Sequence, residues 1–178
     1  MPKDTMFAPQ DAATGAIFSA DAEPFRRNFT KQPFQLTHAF ADSQLFTLPR
    51  LARAAEQLIE QGRGHRFMAR RGVAGVDDGW DAMPAVDSAI ESFGEENAWM
   101  KVTALNEADP EYVDFLDAVL DESDAMAGWG FKETVTHAQM TAFISSPGIT
   151  APYHIDHEEN FLCQVYGEKD VCVYDTTS

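Results

Sequence analysis

The sequence predicts a single α+β domain, in which helices and a few strands lead into a β-rich C-terminal part. Apolar residues recur at helical spacing over 47–62 and again over 109–126. From residue 139 onward, the pattern changes to short strand-like runs separated by Gly, Pro or acidic turns. Residues 1–15 show no periodicity and are expected to form a disordered tail ahead of a domain spanning 16–178. A chain of 178 residues with 44% apolar side chains has the usual size of one domain.

A strand-like arm and an amphipathic helix are predicted after the tail. Residues 33–40 alternate apolar and polar side chains, as a strand does. Thr47 is a candidate N-cap for a helix that is entered through Pro49 and that ends at Gly62. The sequence further predicts a short strand over 65–70, a loop over 72–81 and a helix over 84–93.

A strand over 98–105 and a second long helix are predicted next. Asp109-Pro110 provides an N-cap and a first-turn proline for a helix that runs to about Met126. One helix face is an apolar stripe formed by Tyr112, Phe115, Leu116, Val119 and Leu120. The other face is acidic, with Glu107, Glu111, Asp114, Asp117, Asp121, Glu122 and Asp124 on it or at its start. We interpret this acidic face as solvated surface, with recruitment of a basic partner as the alternative.

The charge balance restricts the classes of partner. Thirteen basic against twenty-nine acidic side chains give a net charge of -16, which disfavours binding to nucleic acid or to an anionic membrane. No long apolar run and no signal-peptide centre are visible, so we expect a soluble, cytoplasmic protein. The oligomeric state stays open, a homodimer included. The one basic concentration is interpreted as a surface cluster, with an acidic substrate or the acidic helix as alternative partners; it comprises Arg63, His65, Arg66, Arg70 and Arg71.

The C-terminal part is predicted to contain a hairpin. Its four strand-like runs are 139–145, 153–156, 160–166 and 169–174. Gly167-Glu168 suits a two-residue type II′ loop, because glycine readily adopts the positive φ that its first position requires. Such a hairpin places Cys163 opposite Cys172, and we expect both to be reduced thiols in a cytoplasmic protein.

Lys169 is a candidate anion-binding residue. In the predicted hairpin it shares a strand face with Val171 and Val173. An ammonium group on an apolar face is costly unless an anion meets it. The alternative is that Lys169 extends to solvent from the end of the hairpin.

His154 and Asp156 are the candidate metal ligands. Alternation along a strand points residues i and i+2 to the same face, so the imidazole and the carboxylate can converge on one ion. An imidazole and a carboxylate form two-thirds of the facial triad that leaves positions open on Fe(II). Asn160 is expected to orient either a cosubstrate bound at the open positions of the metal or the loop that carries Asp156.

These spaced residues carry a family resemblance over 143–175. They are Pro152-Tyr153-His154-Ile155-Asp156, Asn160-Phe161, Gln164, Gly167 and Lys169. The set resembles the core motif of the Jumonji-C and cupin-like oxygenases, notably their asparaginyl hydroxylase branch. The resemblance implies a double-stranded β-helix core, here incomplete, in which His154 and Asp156 bind Fe(II) and Lys169 binds 2-oxoglutarate.

The resemblance also implies a third iron ligand and a hydroxyl that contacts the cosubstrate. Ala151 occupies the nearest position to that hydroxyl, and Thr150 is the expected substitute, with Tyr153 as an alternative. In the family, the third ligand is a histidine several strands further on, so we expect it beyond Ser178 and the chain to be truncated. His137 and His157 are poorly placed replacements. No catalytic residue beyond the metal ligands is expected.

Three functions follow as hypotheses. The first is an Fe(II)- and 2-oxoglutarate-dependent oxygenase acting on a protein or a small molecule. The second is a non-enzymatic cupin-like domain that binds a metal or a small anion, and the third is a zinc-dependent isomerase or hydrolase of cupin type. Substrate identity is open.

Overall fold

The structure, a computed structural model, describes residues 16–19, 22–71, 85–91 and 98–174. Within these ranges the chain forms four α-helices and five strands. The helices are α1 (Ala22–Asn28), α2 (Leu48–Glu60), α3 (Val86–Glu91) and α4 (Pro110–Ala127). The strands are β1 (Phe18–Ser19), β2 (Thr37–His38), β3 (Phe67–Arg71), β4 (Ala98–Thr103) and β5 (Thr141–Ser145). The protein is therefore of mixed α and β structure.

A three-stranded antiparallel sheet forms the β part of the core. Its strand order is β3-β4-β5, so β4 is paired on both sides. Phe67 pairs with Val102, and Met100 pairs with Ile144. Because side chains alternate across a strand, these residues share one face, and that face packs on the helices. A separate two-stranded pair joins β1 to β2.

Helix α2 begins and ends where its terminal residues predicted, which confirms the predicted helix between Thr47 and Gly62. Thr47 is the N-cap residue, Pro49 lies in the first turn, and Gly62 adopts a φ of 76° just past the end. Leu51, Ala55 and Leu58 recur on the buried face. The Thr47 hydroxyl does not cap the helix, because it donates to the carbonyl of Gln44 instead.

Helix α4 is also confirmed at both ends and along its apolar stripe. The Asp109 carboxylate accepts a hydrogen bond of 2.9 Å from the main-chain N–H of Glu111, and Gly128 ends the helix with a φ of 74°. Tyr112 and Val119 are buried, and the remaining stripe residues are half-buried.

The acidic face of α4 is largely paired within the chain. Lys132 forms ion pairs with Asp117 and Asp121. Glu122 turns inward, and its two carboxylate oxygens accept hydrogen bonds of 2.7 and 2.8 Å from the N–H groups of Ile17 and Phe18. These contacts pair much of the acidic face within the chain. Its interpretation as solvated surface stays a prediction.

The basic concentration also finds a partner in the chain. Arg63 and Arg66 each form an ion pair with Glu107, just before α4, at 3.0 and 3.1 Å. Of the interpretations of this cluster, contact with the acidic region of the same chain is the one that the geometry supports.

An aromatic cluster forms a second part of the core around α1. It contains the buried rings of Phe25 and Phe29, packed against Phe34, Phe131 and Phe161. Arg26 ties α1 to the end of α4 by donating to the carbonyl of Met126 at 3.0 Å. The cluster therefore joins two parts of the chain. We call residues 16–40 the N-terminal arm and residues 147–174 the C-terminal segment.

Several predicted strands are corrected. In 33–40 only Thr37–His38 pairs, and residues 151–174 contain no helix or strand, so the runs 153–156, 160–166 and 169–174 are not strands. In the described chain, no strand pairs with any part of 151–174. A strand is defined by a paired neighbour, and these runs have none.

The predicted hairpin is corrected for the same reason. Gly167 does adopt the expected positive φ, 74°, but the flanking residues do not pair. Cys163 is half-buried and Cys172 is exposed; both are free thiols, and the predicted cross-strand pair does not form. Alternation nevertheless persists locally, because Phe161, Cys163 and Val165 pack on the core while their neighbours are exposed.

The remaining predictions agree with the structure where it describes them. Strands β3 and β4, and helix α3, lie where a strand, a strand and a helix were predicted. The predicted tail over 1–15 and the predicted loop over 72–81 lie outside the described residues. No helix in the described ranges combines the length and the apolar character needed to cross a bilayer.

Candidate metal site

The candidate metal ligands lie on an exposed stretch of chain. Every residue over 150–160 is exposed, and Phe161 is the first half-buried residue that follows. Thr150, His154, Asp156 and Asn160 all belong to this stretch. Their positions therefore depend on local hydrogen bonds and on the anchoring of the two ends.

His154 and Asp156 point the same way, as the alternation predicts. Nε2 of His154 lies 3.9 Å from Oδ2 of Asp156, and the two side chains are 63% and 55% exposed. The nearest atoms of an imidazole and a carboxylate thus face each other without a protein group between them. The role of this pair as metal ligands stays a prediction.

The tautomer of His154 is set by its own backbone. Nδ1 lies 2.8 Å from the carbonyl oxygen of Pro152. A carbonyl oxygen only accepts hydrogen bonds, so Nδ1 carries the proton and Nε2 of the neutral ring keeps its lone pair. Metal-bound histidines are usually held in this way, with one nitrogen donating to a carbonyl and the other free to bind.

Asp156 is held by the amide of Asn160. Nδ2 of Asn160 donates to Oδ2 of Asp156 at 3.0 Å, which closes the turn over 156–160. Asn160 was expected to orient either a cosubstrate or the loop of Asp156, and the geometry supports the second role. The other carboxylate oxygen has no protein donor among the described contacts.

The donor pair fits a divalent cation in chemistry and nearly in spacing. A neutral imidazole and a carboxylate suit Fe(II), and zinc also accepts both. With metal bonds of about 2.1 Å, adjacent ligand atoms lie about 3 Å apart, so the observed pair has to close by about 1 Å. Exposed side chains make this movement by small rotations about their χ angles.

A third ligand does not join the pair in the described chain. No group of three or more His, Cys, Asp or Glu side chains is arranged to hold an ion there. His137 and His157 therefore do not complete a triad, which agrees with their poor placement in the sequence pattern.

Lys169 lies in surroundings different from those predicted. Its side chain is exposed, and Val171 and Val173 are 55% and 64% exposed. The apolar face that would make an unpaired ammonium costly is therefore absent here, and Lys169 extends to solvent. Thr150 is likewise exposed. The roles of both residues in binding a cosubstrate stay predictions.

Cys163 carries a neutral thiol at neutral pH when no metal is bound. Burial raises the pKa of its thiol to about 11, because desolvation disfavours the charged form. A protonated thiol is a poor nucleophile. Its part in the segment is packing against the core.

Phe161 is a site residue whose role sequence reasoning missed. Its ring stacks at 5.4 Å on Phe18 and at 5.7 Å on Phe29, both of which come from the N-terminal arm. The available signal was the apolar alternation at 161, 163 and 165 beside a phenylalanine-rich arm. That pattern indicates burial but does not name the partner rings.

Comparison of the chain with protein-family models, with curated proteins and with solved structures found no match. What the protein does is therefore inferred from its residues and their geometry.

Proposed function

We propose that this protein is an Fe(II)- and 2-oxoglutarate-dependent oxygenase of the Jumonji-C or cupin-like type. The observation that carries the proposal is the pairing of His154 with Asp156. Nε2 of His154 is freed for binding by the Pro152 carbonyl and lies 3.9 Å from an Asp156 oxygen. A nitrogen and an oxygen donor on one short segment are what a facial triad requires from its first two ligands.

In this proposal each residue has a defined task. His154 and Asp156 hold the iron, and Asn160 holds the Asp156 carboxylate. Lys169 supplies a positive charge for the far carboxylate of the oxoacid, and Thr150 supplies a hydroxyl donor. Iron with 2-oxoglutarate and dioxygen supplies the chemistry: one oxygen atom enters a substrate C–H bond, and the other enters the succinate formed as carbon dioxide leaves.

The exposed apolar residues of the C-terminal segment support the proposed fold. A double-stranded β-helix packs one face of such strands against an opposing sheet. Residues that would be covered are exposed here, among them Ile155 at 61%, Leu162 at 63% and Tyr166 at 57%.

Metal titration tests the ligand assignment. We expect the chain to bind one equivalent of Co(II), used as an oxygen-stable probe and followed by absorbance. His154→Ala and Asp156→Ala should each weaken binding at least tenfold. His157→Ala is the matched control, because His157 is an exposed histidine on the same segment. Equal binding by wild type and the two ligand variants would contradict the assignment.

Succinate formation tests the reaction. With Fe(II), ascorbate and 2-oxoglutarate, wild type should release succinate, and His154→Ala should not. Lys169→Ala should raise the KM for 2-oxoglutarate by roughly tenfold or more, since a hydrogen bond to a charged group contributes about 1.5–3 kcal/mol. Lys169→Arg should restore part of the loss. Metal binding without any succinate, with or without candidate peptide substrates, would contradict the oxygenase.

A non-enzymatic domain that binds metal or a small anion is the second candidate. The observation that favours it is the two-ligand site, because the described residues bring no third ligand to the pair. Retained metal affinity with no oxoacid-dependent oxidation is the outcome expected of this alternative.

A further inference from the structure

The segment that carries the candidate metal pair is anchored before residue 150 at the buried Ser146 and after residue 160 at Phe161. All residues over 150–160 are exposed, so none of them fixes the segment by burial. The rings of Tyr153 and Tyr174 contact each other at 5.9 Å, but both are exposed and neither reaches the core. Phe161 is the first residue after this stretch that packs on the buried clusters.

The anchor at Phe161 is an aromatic stack. Phe161 lies 5.4 Å from Phe18, 5.7 Å from Phe29 and 6.4 Å from Phe25, with interplanar angles of 16–29°. These three partner rings, which we call the N-terminal aromatic cluster, are at most 6% exposed. Stacked aromatic pairs attract each other beyond the area they bury, so a ring that contacts three others has a defined position.

The anchor connects directly to the metal pair. Asn160 shares a peptide bond with Phe161, and its amide donates to the Asp156 carboxylate at 3.0 Å. Holding the Phe161 ring therefore restricts the main chain of Asn160, and the amide of Asn160 restricts Asp156. An exposed segment without these restraints would lose more conformational entropy when two side chains close on one ion.

We infer that Phe161 and Asn160 are positioning residues, through which the N-terminal aromatic cluster fixes Asp156 relative to His154. The inference rests on the proposed metal-binding function of the pair. In this inference, β1 and α1 help to set the geometry of the metal pair, although they lie far from it in the sequence and do not contact it.

Variants that leave both ligands in place test the inference. Phe161→Ala removes the anchor, and Phe161→Leu restores apolar bulk without a stacking plane. Asn160→Leu removes the amide donor at similar size, and Asn160→Gln keeps a donor. Phe131→Ala is the matched control. Phe131 packs at 4.8 Å on Phe29, a ring of the N-terminal aromatic cluster, and no ring contact joins it to Phe161 among the described residues. Co(II) affinity and the thermal midpoint of unfolding are measured for each.

We expect Phe161→Ala and Asn160→Leu to weaken Co(II) binding on the order of tenfold, as loss of a supporting residue around a metal site usually does. Phe161→Leu and Asn160→Gln should recover part of the affinity. Phe131→Ala should lower the thermal midpoint but keep the affinity within about twofold of wild type. Equal loss of affinity in Phe131→Ala and Phe161→Ala, or no loss in either, would overturn the inference.

A measurement without metal separates this inference from the proposed function. In the metal-free protein, the side-chain amide signals of Asn160 in a ¹⁵N NMR spectrum report its bond to Asp156. Phe161→Ala should shift these signals toward those of a free carboxamide, and Phe131→Ala should not. If wild type binds no metal, the proposed function fails while the NMR result still decides whether Phe161 positions Asn160; unchanged signals would contradict it.

Discussion

Tyr112 is a polar group that the core accommodates completely. Its side chain is fully buried, and its hydroxyl donates to the carbonyl of Leu45 at 2.8 Å. Burial raises the pKa of the phenol to about 12, because desolvation disfavours the phenolate. The guanidinium of Arg50 lies 5.8 Å from the ring centre and adds a cation–π contact. The hydroxyl of Tyr112, in α4, thus satisfies the main-chain carbonyl of Leu45, in the turn before α2.

We predict that Tyr112→Phe lowers the free energy of unfolding by about 1 kcal/mol at pH 7, because the Leu45 carbonyl loses its donor. Urea denaturation measures this change. The folded pKa lies above the ordinary phenol value of about 10, so the contribution of the neutral phenol is complete below pH 10. It is lost as the pH rises toward 12, and the gap between wild type and variant should narrow there.

Absorbance titration of the phenolates provides the control for this prediction. Wild type has four tyrosines, and one of them should titrate late, near pH 12. Tyr112→Phe should lack that late step and keep the others. A late step that persists in the variant would show that another tyrosine carries it.

The two thiols should differ in reactivity. Cys163 has a thiol pKa of about 11 through burial, whereas Cys172 is exposed. At pH 8 we predict one fast and one slow phase with a disulfide reagent, because the thiolate is the reacting form and access also limits the rate. Cys172→Ser should remove the fast phase and Cys163→Ser the slow one. A single rate for both thiols in the folded protein would contradict the described burial.

Helices were predictable because their signals are local. Asp109, Pro110 and Gly128 lie within or beside the helix that they start or stop, and the same holds for Pro49 and Gly62. The strand-like runs after residue 150 carry the right alternation, yet a strand also needs a neighbour. The pattern of a single run does not specify that neighbour, which is why the predicted hairpin was wrong.

The start of α4 offers a test at the level of one element. Asp109 caps the helix and also forms an ion pair with Arg50 at 3.0 Å. We predict that Asp109→Ala lowers the free energy of unfolding by about 1–2 kcal/mol, chiefly by loss of the cap. Asp109→Asn keeps a capping oxygen and loses the charge, so it should cost less than half as much. Equal costs for the two variants would assign the effect to the ion pair.

Across the whole molecule, repulsion between like net charges opposes association through an exposed apolar surface. The net charge is -16, while seven of the ten large apolar side chains described as exposed lie in 153–174. Like-charged molecules repel at low salt, and salt of about 1 M shortens the screening length to about 3 Å. Association through the apolar segment should then become favourable.

We therefore predict self-association that increases with salt, measured by sedimentation velocity at low and at high sodium chloride. Val171→Asn with Val173→Asn should reduce the association, because both side chains are more than half exposed. Val113→Asn is the control, since Val113 is a 48% exposed valine on α4, away from the segment. Association that is unchanged by salt, or equally reduced by the control, would contradict this explanation.

At the candidate site, the closeness of His154 and Asp156 was predicted, whereas the contacts that hold their segment were not. The spacing of His154 and Asp156 was enough to predict that their side chains converge, and Asn160 was among the expected residues. The ring contacts of Phe161 were not predictable, because Phe18 and Phe29 lie far away in the sequence. Contacts of that kind depend on how the whole chain folds.

The stack of Phe161 on Phe18 also bears on the order of events during synthesis. The ribosome makes Phe18 before Phe161, and at about 5–20 residues per second the two rings are separated by roughly 7–30 s. During that interval β1 and α1 emerge from the ribosomal exit tunnel while Phe161, whose ring completes their packing, has not yet been made. Their phenylalanines are then available to chaperones. The N-terminal arm is translated before Phe161, but it is expected to be among the last parts to reach its final place.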